Sequence, residues 1–220
     1  MALGDLSAQF ESNGNPAIVS SGDGDLGGMS YGAYQLASNT GSVDEFLGWG
    51  LRQDGFYKDY ARVLVDSGAI NSDAFIAQWK ELGTIDPGGF KQMQYDYIKH
   101  AYYDPAVQLL RNAGFNVDNH SEAMKNVIWS RAVQYGPGEV VNLFLEALRY
   151  VPKILEKVDT DIFDYDMING AYESNKSDEW ISPRLSQDIY KSVYNRMDVE
   201  KAEALAAFTA EIKEKEKNNG

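Results

Sequence analysis

Residues 10–35 read FESNGNPAIVSSGDGDLGGMSYGAYQ and pass from an apolar-periodic segment into a loop that is rich in glycine. Apolar residues at helical spacing predict a helix over residues 3–12. The turn formers from Asn13 to Pro16 end that helix, because they favour turns over helical continuation. Glu11 therefore lies in the last turn of the predicted helix.

The glycine-rich part of this stretch carries two further acids, Asp23 and Asp25. Candidate strands flank it, Ile18–Ser20 before and Ser30–Leu36 after, and together they predict a β-hairpin. This hairpin is the only sheet that the sequence indicates. A carboxyl on a helix opposite a carboxyl on a loop is the arrangement that hydrolysis of a glycosidic bond requires.

Helical signals continue from residue 42 to residue 217. The predicted helices begin at Ser42, Tyr57, Asn71 or Ser72, Asp86-Pro87, Pro105, Asn119 or Ser121, Glu139, Thr160, Ser182-Pro183 and Val199. The helix that begins at Asp86-Pro87 is expected to continue through Tyr103. The fold class is therefore mainly α (α+β), with a small hairpin lobe and a larger helical lobe. We expect one domain over residues 1–220, in which residues 1–41 hold the first helix and the hairpin and residues 42–220 form the helical body.

The composition argues against several classes of protein. A formal net charge of -13 disfavours a nucleic-acid partner, because phosphate contacts need clustered lysine and arginine. With no cysteine and two histidines, the chain lacks the residues of disulfides and of thiolate or histidine-rich metal sites, and we expect no metal and no cofactor. No apolar run approaches the roughly 18 residues of a membrane span. No basic and apolar leader opens the chain, so we expect no membrane insertion and export by a separate apparatus.

Three groups of residues resemble the lysozyme-like domains related to chitosanases. The first group is Glu11-Ser12-x-Gly14-Asn15-Pro16. The second runs from Ser20 to Gln35 and includes Gly24-Asp25-x-Gly27-Gly28 and Ser30-Tyr31-Gly32-x-Tyr34-Gln35. The third is Trp129-Ser130-x-Ala132-Val133-Gln134-Tyr135-Gly136. Such domains occur in phage lytic enzymes and at the C-termini of some type VI secretion spike proteins. The resemblance implies a lysozyme-like fold in which two lobes flank a cleft.

The resemblance also implies roles for three residues. Glu11 becomes the general acid, Asp25 the general base that activates water, and Ser30 the hydroxyl that helps to hold that water. Serine departs from the threonine that is usual in chitosanases. Asp23 lies two residues from Asp25, so either aspartate could serve as the base, or either could be a turn residue that bonds its own backbone.

Other residues of the motifs are candidates for contact with the substrate. Tyr31, Tyr34, Gln35 and Gln134, with Asp23, have the ring faces and polar edges that a saccharide wall uses, although buried aromatics and glutamines are also common in cores. Asp23-x-Asp25 also begins a calcium-loop pattern. Gly28 fits the sixth position of that pattern, but Gly27 at the fifth and Tyr34 at the twelfth do not supply ligands.

The sequence thus predicts a muramidase, a peptidoglycan hydrolase that cleaves the β-1,4 bond between N-acetylmuramic acid and N-acetylglucosamine with inversion. The Ser30–Gln35 strand is absent in this form from chitosanases and favours peptidoglycan. We expect a monomer that acts on the bacterial cell wall, in the periplasm or outside the cell, as part of a phage or secretion assembly. The alternatives are a lytic transglycosylase that uses Glu11 alone, a chitosanase, and a non-catalytic wall-binding module of a phage tail or secretion spike.

Overall fold

The computed structural model describes residues 1–21, 28–151, 163–181 and 185–219. The chain divides into two compact units, one formed by residues 7–101 and the other by residues 1–6 with 102–220. We call them the hairpin unit and the C-terminal unit. The predicted boundary at residue 41 is not where the units divide, because helices as far as residue 101 pack with the hairpin segment. The single-domain assignment stays a prediction.

The hairpin unit contains a three-stranded antiparallel sheet in place of the predicted two-stranded hairpin. Strands β1 (Val19–Ser20), β2 (Ser30–Tyr31) and β3 (Leu36–Ala37) lie in that order, with Tyr31 opposite both Val19 and Leu36. The prediction of one continuous strand over Ser30–Leu36 was wrong. Its middle forms a turn in which Gly32 and Gln35 adopt left-handed backbone conformations, with φ values of 76° and 51°.

Most predicted helices of this unit are confirmed. They are α1 (Asp5–Ser12), whose first residues belong to the C-terminal unit, α2 (Ser42–Leu51), α3 (Phe56–Ser67), α4 (Asp73–Ile85) and α5 (Pro87–Ile98). Ser72 accepts a hydrogen bond from the Phe75 amide and Asp86 accepts one from the Gly89 amide, so both act as the predicted N-caps. The Ser42 side chain is not a cap, because Gly41 occupies the N-cap position of α2 with a φ of 84°.

The predicted continuous helix through Tyr103 changes its winding near the end. After α5 the chain forms a π-helical turn, Lys99–Tyr103, and then enters α6 (Asp104–Asn112). Pro105 has no backbone N–H and cannot donate to the preceding turn, which accounts for the break in regular α-helical bonding here.

An aromatic cluster forms the core of the hairpin unit. Trp79 has no exposed surface, and its ring centroid lies 5.0 Å from that of Phe90, 5.1 Å from Tyr31 and 5.6 Å from Phe46. The tilted and edge-on geometries of these pairs are those that aromatic quadrupoles favour. The strand residue Tyr31 therefore packs directly onto α4, and the sheet is anchored to the helices by its own side chains.

From Asp104 onward, the described part of the C-terminal unit consists of α6 and the helices that follow it, joined by turns. It contains α7 (Glu122–Tyr135), α8 (Glu139–Ala147), α9 (Asp164–Asn175) and α10 (Gln187–Asn219), with short 3-10 turns at Val117–Asn119 and Leu148–Tyr150. Ser121 caps α7 as predicted, by accepting from the Met124 amide. The helix predicted to begin at Glu139 ends in a 3-10 turn at Leu148–Tyr150. The predicted starts at Thr160 and Ser182-Pro183 lie outside the described residues.

Helix α10 begins at Gln187 and continues through Val199, so the separate helix start predicted at Val199 was wrong. Ser186 explains the earlier start, because its hydroxyl accepts from the Ile189 amide and its carbonyl accepts from the Tyr190 amide. No helix among the described residues is both long enough and apolar enough to span a membrane.

Buried charges join three of these helices. Arg131 on α7 and Glu200 on α10 have no exposed side-chain surface, and Nη2 of Arg131 lies 2.6 Å from Oε1 of Glu200. Ser130 and Tyr172 also donate their hydroxyls to Glu200, and Arg131 donates to Asn175 on α9. We call these five residues the Arg131–Glu200 cluster. The positive charge of Arg131 lowers the pKa of Glu200, although burial alone would raise it.

Candidate active site

Glu11 lies in the last turn of α1, as the apolar spacing predicts, and its side chain is half-buried. The next residue fastens this turn to the sheet. Ser12 is buried, and its hydroxyl donates to the Ala33 carbonyl at 2.9 Å while accepting from the Asn15 amide at 3.1 Å. The helix end that carries Glu11 is therefore fixed to the turn between β2 and β3.

Gln94 on α5 holds the same turn from the other direction. Its Oε1 accepts from the Ala33 amide at 2.7 Å, and its Nε2 donates to the Pro16 carbonyl at 3.1 Å. Trp79 donates its indole N–H to the same carbonyl at 2.9 Å. A Cβ on Gly32 would lie 2.3 Å from Oε1 of Gln94, so the close approach requires glycine at position 32.

Sequence reasoning missed Gln94 as a supporting residue. The signal was a polar side chain on the apolar face of a helix, since Gln94 lies four residues after Phe90 and three before Tyr97, all three of them buried. A buried amide at such a position must find hydrogen-bond partners, and here it finds two main-chain groups of the candidate site.

Ser30 and Gln35 belong to the sheet and its turn. Ser30 on β2 pairs with Ser20 on β1 and with Ala37 on β3. Gln35 accepts from the Ser20 hydroxyl at 2.7 Å and donates to the Gly32 carbonyl at 3.0 Å. The Gln35 side chain thus ties β1 to the turn between β2 and β3.

The two candidate bases, Asp23 and Asp25, lie outside the described residues. In the sequence they stand between Ser20, which ends β1, and Ser30, which begins β2. The predicted arrangement of two carboxyls therefore stays a prediction. The alternative calcium pattern at Asp23-x-Asp25 also falls outside the described residues, and within them no group of three or more histidines and acids could hold a metal ion.

The two predicted tyrosine contacts are placed in the core. Tyr31 has no exposed surface and its hydroxyl donates to Oδ1 of Asn71 at 2.9 Å, while Tyr34 is 4% exposed. Burial raises the pKa of the Tyr31 hydroxyl. A ring without exposed surface offers no face to a sugar, so Tyr31 serves as a core residue that packs on Phe75 and Trp79 in this structure.

Gln134 lies near the end of α7, in the C-terminal unit, and is half-buried. Its Oε1 atom is buried and accepts no hydrogen bond from the described residues. The structure thus brings Glu11, Ser30, Gln35 and the two tyrosines into one compact unit, and places Gln134 in the other.

Comparison with known proteins identifies the family. Residues 3–201 match the sequence model of a protein family, which is described as "Type VI secretion system spike protein VgrG3-like, C-terminal". The type VI secretion system spike protein VgrG3 of Vibrio cholerae serotype O1 is 31% identical over 185 residues, which cover 82% of this chain and 17% of that protein.

A solved structure supports the fold. The native chitosanase from Bacillus subtilis MY002 superposes with a TM-score of 0.57 at 19% identity, over 90% of this chain and 85% of that one. This similarity shows that the mainly helical fold with its small sheet is of the chitosanase kind. With the family match over nearly the whole described chain, it follows that the protein belongs to the VgrG3-like C-terminal family of type VI secretion spike proteins.

Proposed function

We propose that the chain is a peptidoglycan hydrolase of the muramidase type. It cleaves the β-1,4 bond between N-acetylmuramic acid and N-acetylglucosamine by inverting hydrolysis, with Glu11 as the general acid and Asp25 as the general base. The observation that carries the proposal is the position of Glu11 at the end of α1. The adjacent Ser12 fastens that helix end to the turn between β2 and β3 through the Ala33 carbonyl.

This fastening matters because a general acid must be held in place. A glutamate at an unattached helix end moves with the fraying turn, whereas Ser12 and Gln94 bind the chain on either side of the candidate site. Rigid placement of the proton donor against the scissile oxygen accounts for a large part of acid catalysis. The chitosanase-like fold and the family of secretion spikes support an enzyme that acts on a glycan.

The chemistry requires two carboxyls with opposite protonation. Glu11 donates its proton to the glycosidic oxygen as the bond to the anomeric carbon breaks. Asp25 takes a proton from a water that attacks the anomeric carbon from the opposite face of the ring. A separation of about 6.5–9.5 Å between the carboxyls leaves room for that water and gives inversion. Ser30 would orient the same water through its hydroxyl.

The family supports a proposal for delivery and location. We propose that the chain works on the bacterial cell wall as the wall-cleaving part of a secretion spike, exported by the secretion apparatus. The chain spans about one sixth of the length of its Vibrio cholerae relative, 17%, so assembly with the spike is part of this proposal. We expect the single domain to be monomeric when it is not assembled.

The test is digestion of purified peptidoglycan sacculi, with mass spectrometry of the soluble products. Glu11→Gln and Asp25→Asn each remove one proton-transfer group at nearly constant volume, and each is expected to lower the rate by at least about 100-fold. Asp23→Asn resolves which aspartate is the base. Glu81→Gln is the matched control, because Glu81 is an exposed glutamate on α4 of the same unit.

The products separate the alternatives. Reducible muramic acid ends that disappear with both mutations support the acid–base muramidase. Anhydro ends that survive Asp25→Asn identify a lytic transglycosylase. Release from chitosan and not from sacculi identifies a chitosanase, and binding to sacculi without any release identifies a wall-binding module. Full activity of Glu11→Gln contradicts the proposal at its centre.

A further inference from the structure

A hollow of about 620 Å³ lies within the C-terminal unit. Its walls are the end of α7, one face of α8 and the turn that follows α9. This volume is in the range of sites that hold small molecules or single residues of a polymer. Of the residues proposed for hydrolysis, the two that the structure describes, Glu11 and Ser30, do not line it.

Two aromatic side chains form one wall of the hollow. Tyr135 and Trp180 meet edge to face, with their ring centroids 4.9 Å apart, and both are half-buried. The indole N–H of Trp180 donates to Oε2 of Glu146 at 2.7 Å. That hydrogen bond fixes the plane of the indole and holds the Glu146 carboxylate beside the two aromatic rings.

The remaining polar lining carries a single sign of charge. Glu139, Glu146 and Glu179 line the hollow together with Asn142, and the described lining residues include no lysine, arginine or histidine. Oε2 of Glu139 accepts from Asn142 at 2.9 Å. Arg131, a buried cation 5.8 Å from the Tyr135 ring centroid, is already paired with Glu200. Among the described lining residues, the three carboxylates therefore have no cation to offset their charge.

A metal ion does not suit this lining, because no group of three acids among the described residues converges as metal ligands do. An organic cation suits it better. A primary ammonium is attracted to carboxylates that lie apart from one another, because it can donate three hydrogen bonds in different directions. It can also lie against an indole or phenol face. The hollow also has room for the body of the molecule that carries the ammonium.

We propose that this hollow, which we call the Trp180 pocket, binds a primary ammonium group carried by the cell-wall polymer. The ammonium lies between the Glu146 and Glu179 carboxylates, and the carbon body beside it packs on Trp180 and Tyr135. Two parts of a wall carry such a group, a glucosamine without its acetyl group and the diamino acid of a peptide stem. The assignment to the wall rests on the proposed hydrolase function, whereas the preference for an ammonium rests on the pocket alone.

The site can be tested by the fluorescence of Trp180. Trp79 and Trp129 have no exposed surface, whereas Trp49 is 8% exposed and lines a separate hollow of the hairpin unit. A signal that disappears in a Trp180→Phe variant is therefore assigned to Trp180. The titration uses Glu11→Gln protein, which prevents turnover if the hydrolase proposal is right. The probes are the glucosamine tetramer, its fully N-acetylated form, a disaccharide-tetrapeptide with a free diaminopimelate amine, and the same peptide with that amine acetylated.

We expect saturable binding of at least one amine-bearing probe, and binding at least about tenfold weaker when its amine is acetylated, because a charge-assisted hydrogen bond is lost. The responding probe identifies the source of the ammonium. Glu146→Gln and Glu179→Gln, measured by calorimetry, are each expected to weaken that binding several-fold. Glu214→Gln is the matched control, since it removes an equal charge from an exposed position on α10.

Equal affinity for the free and acetylated forms would overturn the ammonium assignment, and the absence of binding by all four probes would overturn the site. If Glu214→Gln weakened binding as much as Glu146→Gln, the loss would be an effect of the net charge of the protein. That result would also overturn the site. The proposed function fails separately. Amine-dependent binding without release from sacculi leaves this site standing and removes the hydrolase, and release without amine-dependent binding does the reverse.

Discussion

The two units satisfy their buried polar groups by different chemistry. In the hairpin unit a neutral amide, Gln94, is 1% exposed and bonds main-chain groups at Ala33 and Pro16. In the C-terminal unit a guanidinium and a carboxylate, Arg131 and Glu200, are fully buried and bond each other and the polar side chains around them. Gln94 thus contributes neutral hydrogen bonds to one unit, and Arg131 with Glu200 contributes a buried ion pair to the other.

This difference fits the proposed chemistry. A neutral hydrogen bond keeps its strength whether nearby acids bind or release protons, so the turn that fixes the end of α1 stays in place while Glu11 and its partner exchange protons. A buried ion pair is stable only while both partners keep their charge, and breaking one side leaves the other unpaired in a medium of low dielectric constant. The ionic cluster lies in the unit to which the proposal assigns no catalytic carboxyl.

The largest expected effect on stability comes from a change in the buried ion pair of the C-terminal unit. Arg131→Met leaves the Glu200 carboxylate buried without its cation, and we expect the free energy of unfolding to fall by about 3–5 kcal/mol. Urea denaturation followed by circular dichroism measures this loss. The double variant Arg131→Met with Glu200→Leu removes both charges and should recover a large part of it. A double variant no more stable than Arg131→Met would show that packing, and not the unpaired charge, accounts for the loss.

Gly32→Ala tests the neutral side. Its Cβ would lie 2.3 Å from Oε1 of Gln94, so the amide must move away from Ala33, and the left-handed φ of 76° adds backbone strain. We expect a loss of about 3 kcal/mol, of which about 1–2 kcal/mol is the strain. Gly41→Ala is the matched control, since Gly41 also has a positive φ, 84°, with no atom within 4 Å of the added carbon. Equal losses in the two variants would remove the close approach as a cause.

Gln94→Leu removes the same hydrogen bonds without adding strain. The Ala33 amide is left buried and unpaired, while the Pro16 carbonyl keeps its bond from Trp79, so we expect a loss of about 1–3 kcal/mol. Gln92→Leu is the control on the same helix, because Gln92 is exposed and bonds only Asp96. Release from sacculi at a temperature where both variants remain folded should fall for Gln94→Leu alone. Unchanged release would show that this bond stabilises the unit without placing Glu11.

The sequence predicted the parts of this comparison that depend on neighbouring residues. Apolar spacing placed Glu11 in the last turn of α1, and the local caps at Ser72, Asp86 and Ser121 placed the starts of three helices. Caps and helical spacing act over three or four residues, so they can be read from a short window.

The parts that it did not predict depend on distant residues. Ser12 bonds Ala33 across 21 positions and Gln94 bonds Ala33 across 61, and no local pattern indicates such partners. The third strand was missed because Gln35 adopts a left-handed φ, which ends the extended backbone between β2 and β3, and the sequence pattern did not indicate this turn. Tyr31 was predicted to contact sugar because it has a ring face and a polar edge, but its burial depends on Phe75 and Trp79, which lie more than 40 positions away in the sequence.

The smallest expected effect is a pH dependence of the free energy of unfolding that comes from one unit and not from the other. The folded pKa of Glu200 is lowered from its usual 4.5, despite burial, by Arg131 and Arg196 and by the hydrogen bonds from Ser130 and Arg131. The stabilisation from this carboxylate is therefore fully present above pH 4.5 and is lost as the pH falls through the lower folded pKa. Gln94 has no such dependence, because it does not titrate.

The measurement is the difference in free energy of unfolding between the protein and its Glu200→Gln variant, at steps of pH. We expect a constant difference above about pH 5 that shrinks as the pH falls, because the protonated glutamic acid then resembles the amide. The difference between the protein and Gln94→Leu should stay constant over the same range and serves as the reference. A Glu200→Gln difference that grows as the pH falls would mean that the folded pKa is raised, and that burial outweighs the two arginines.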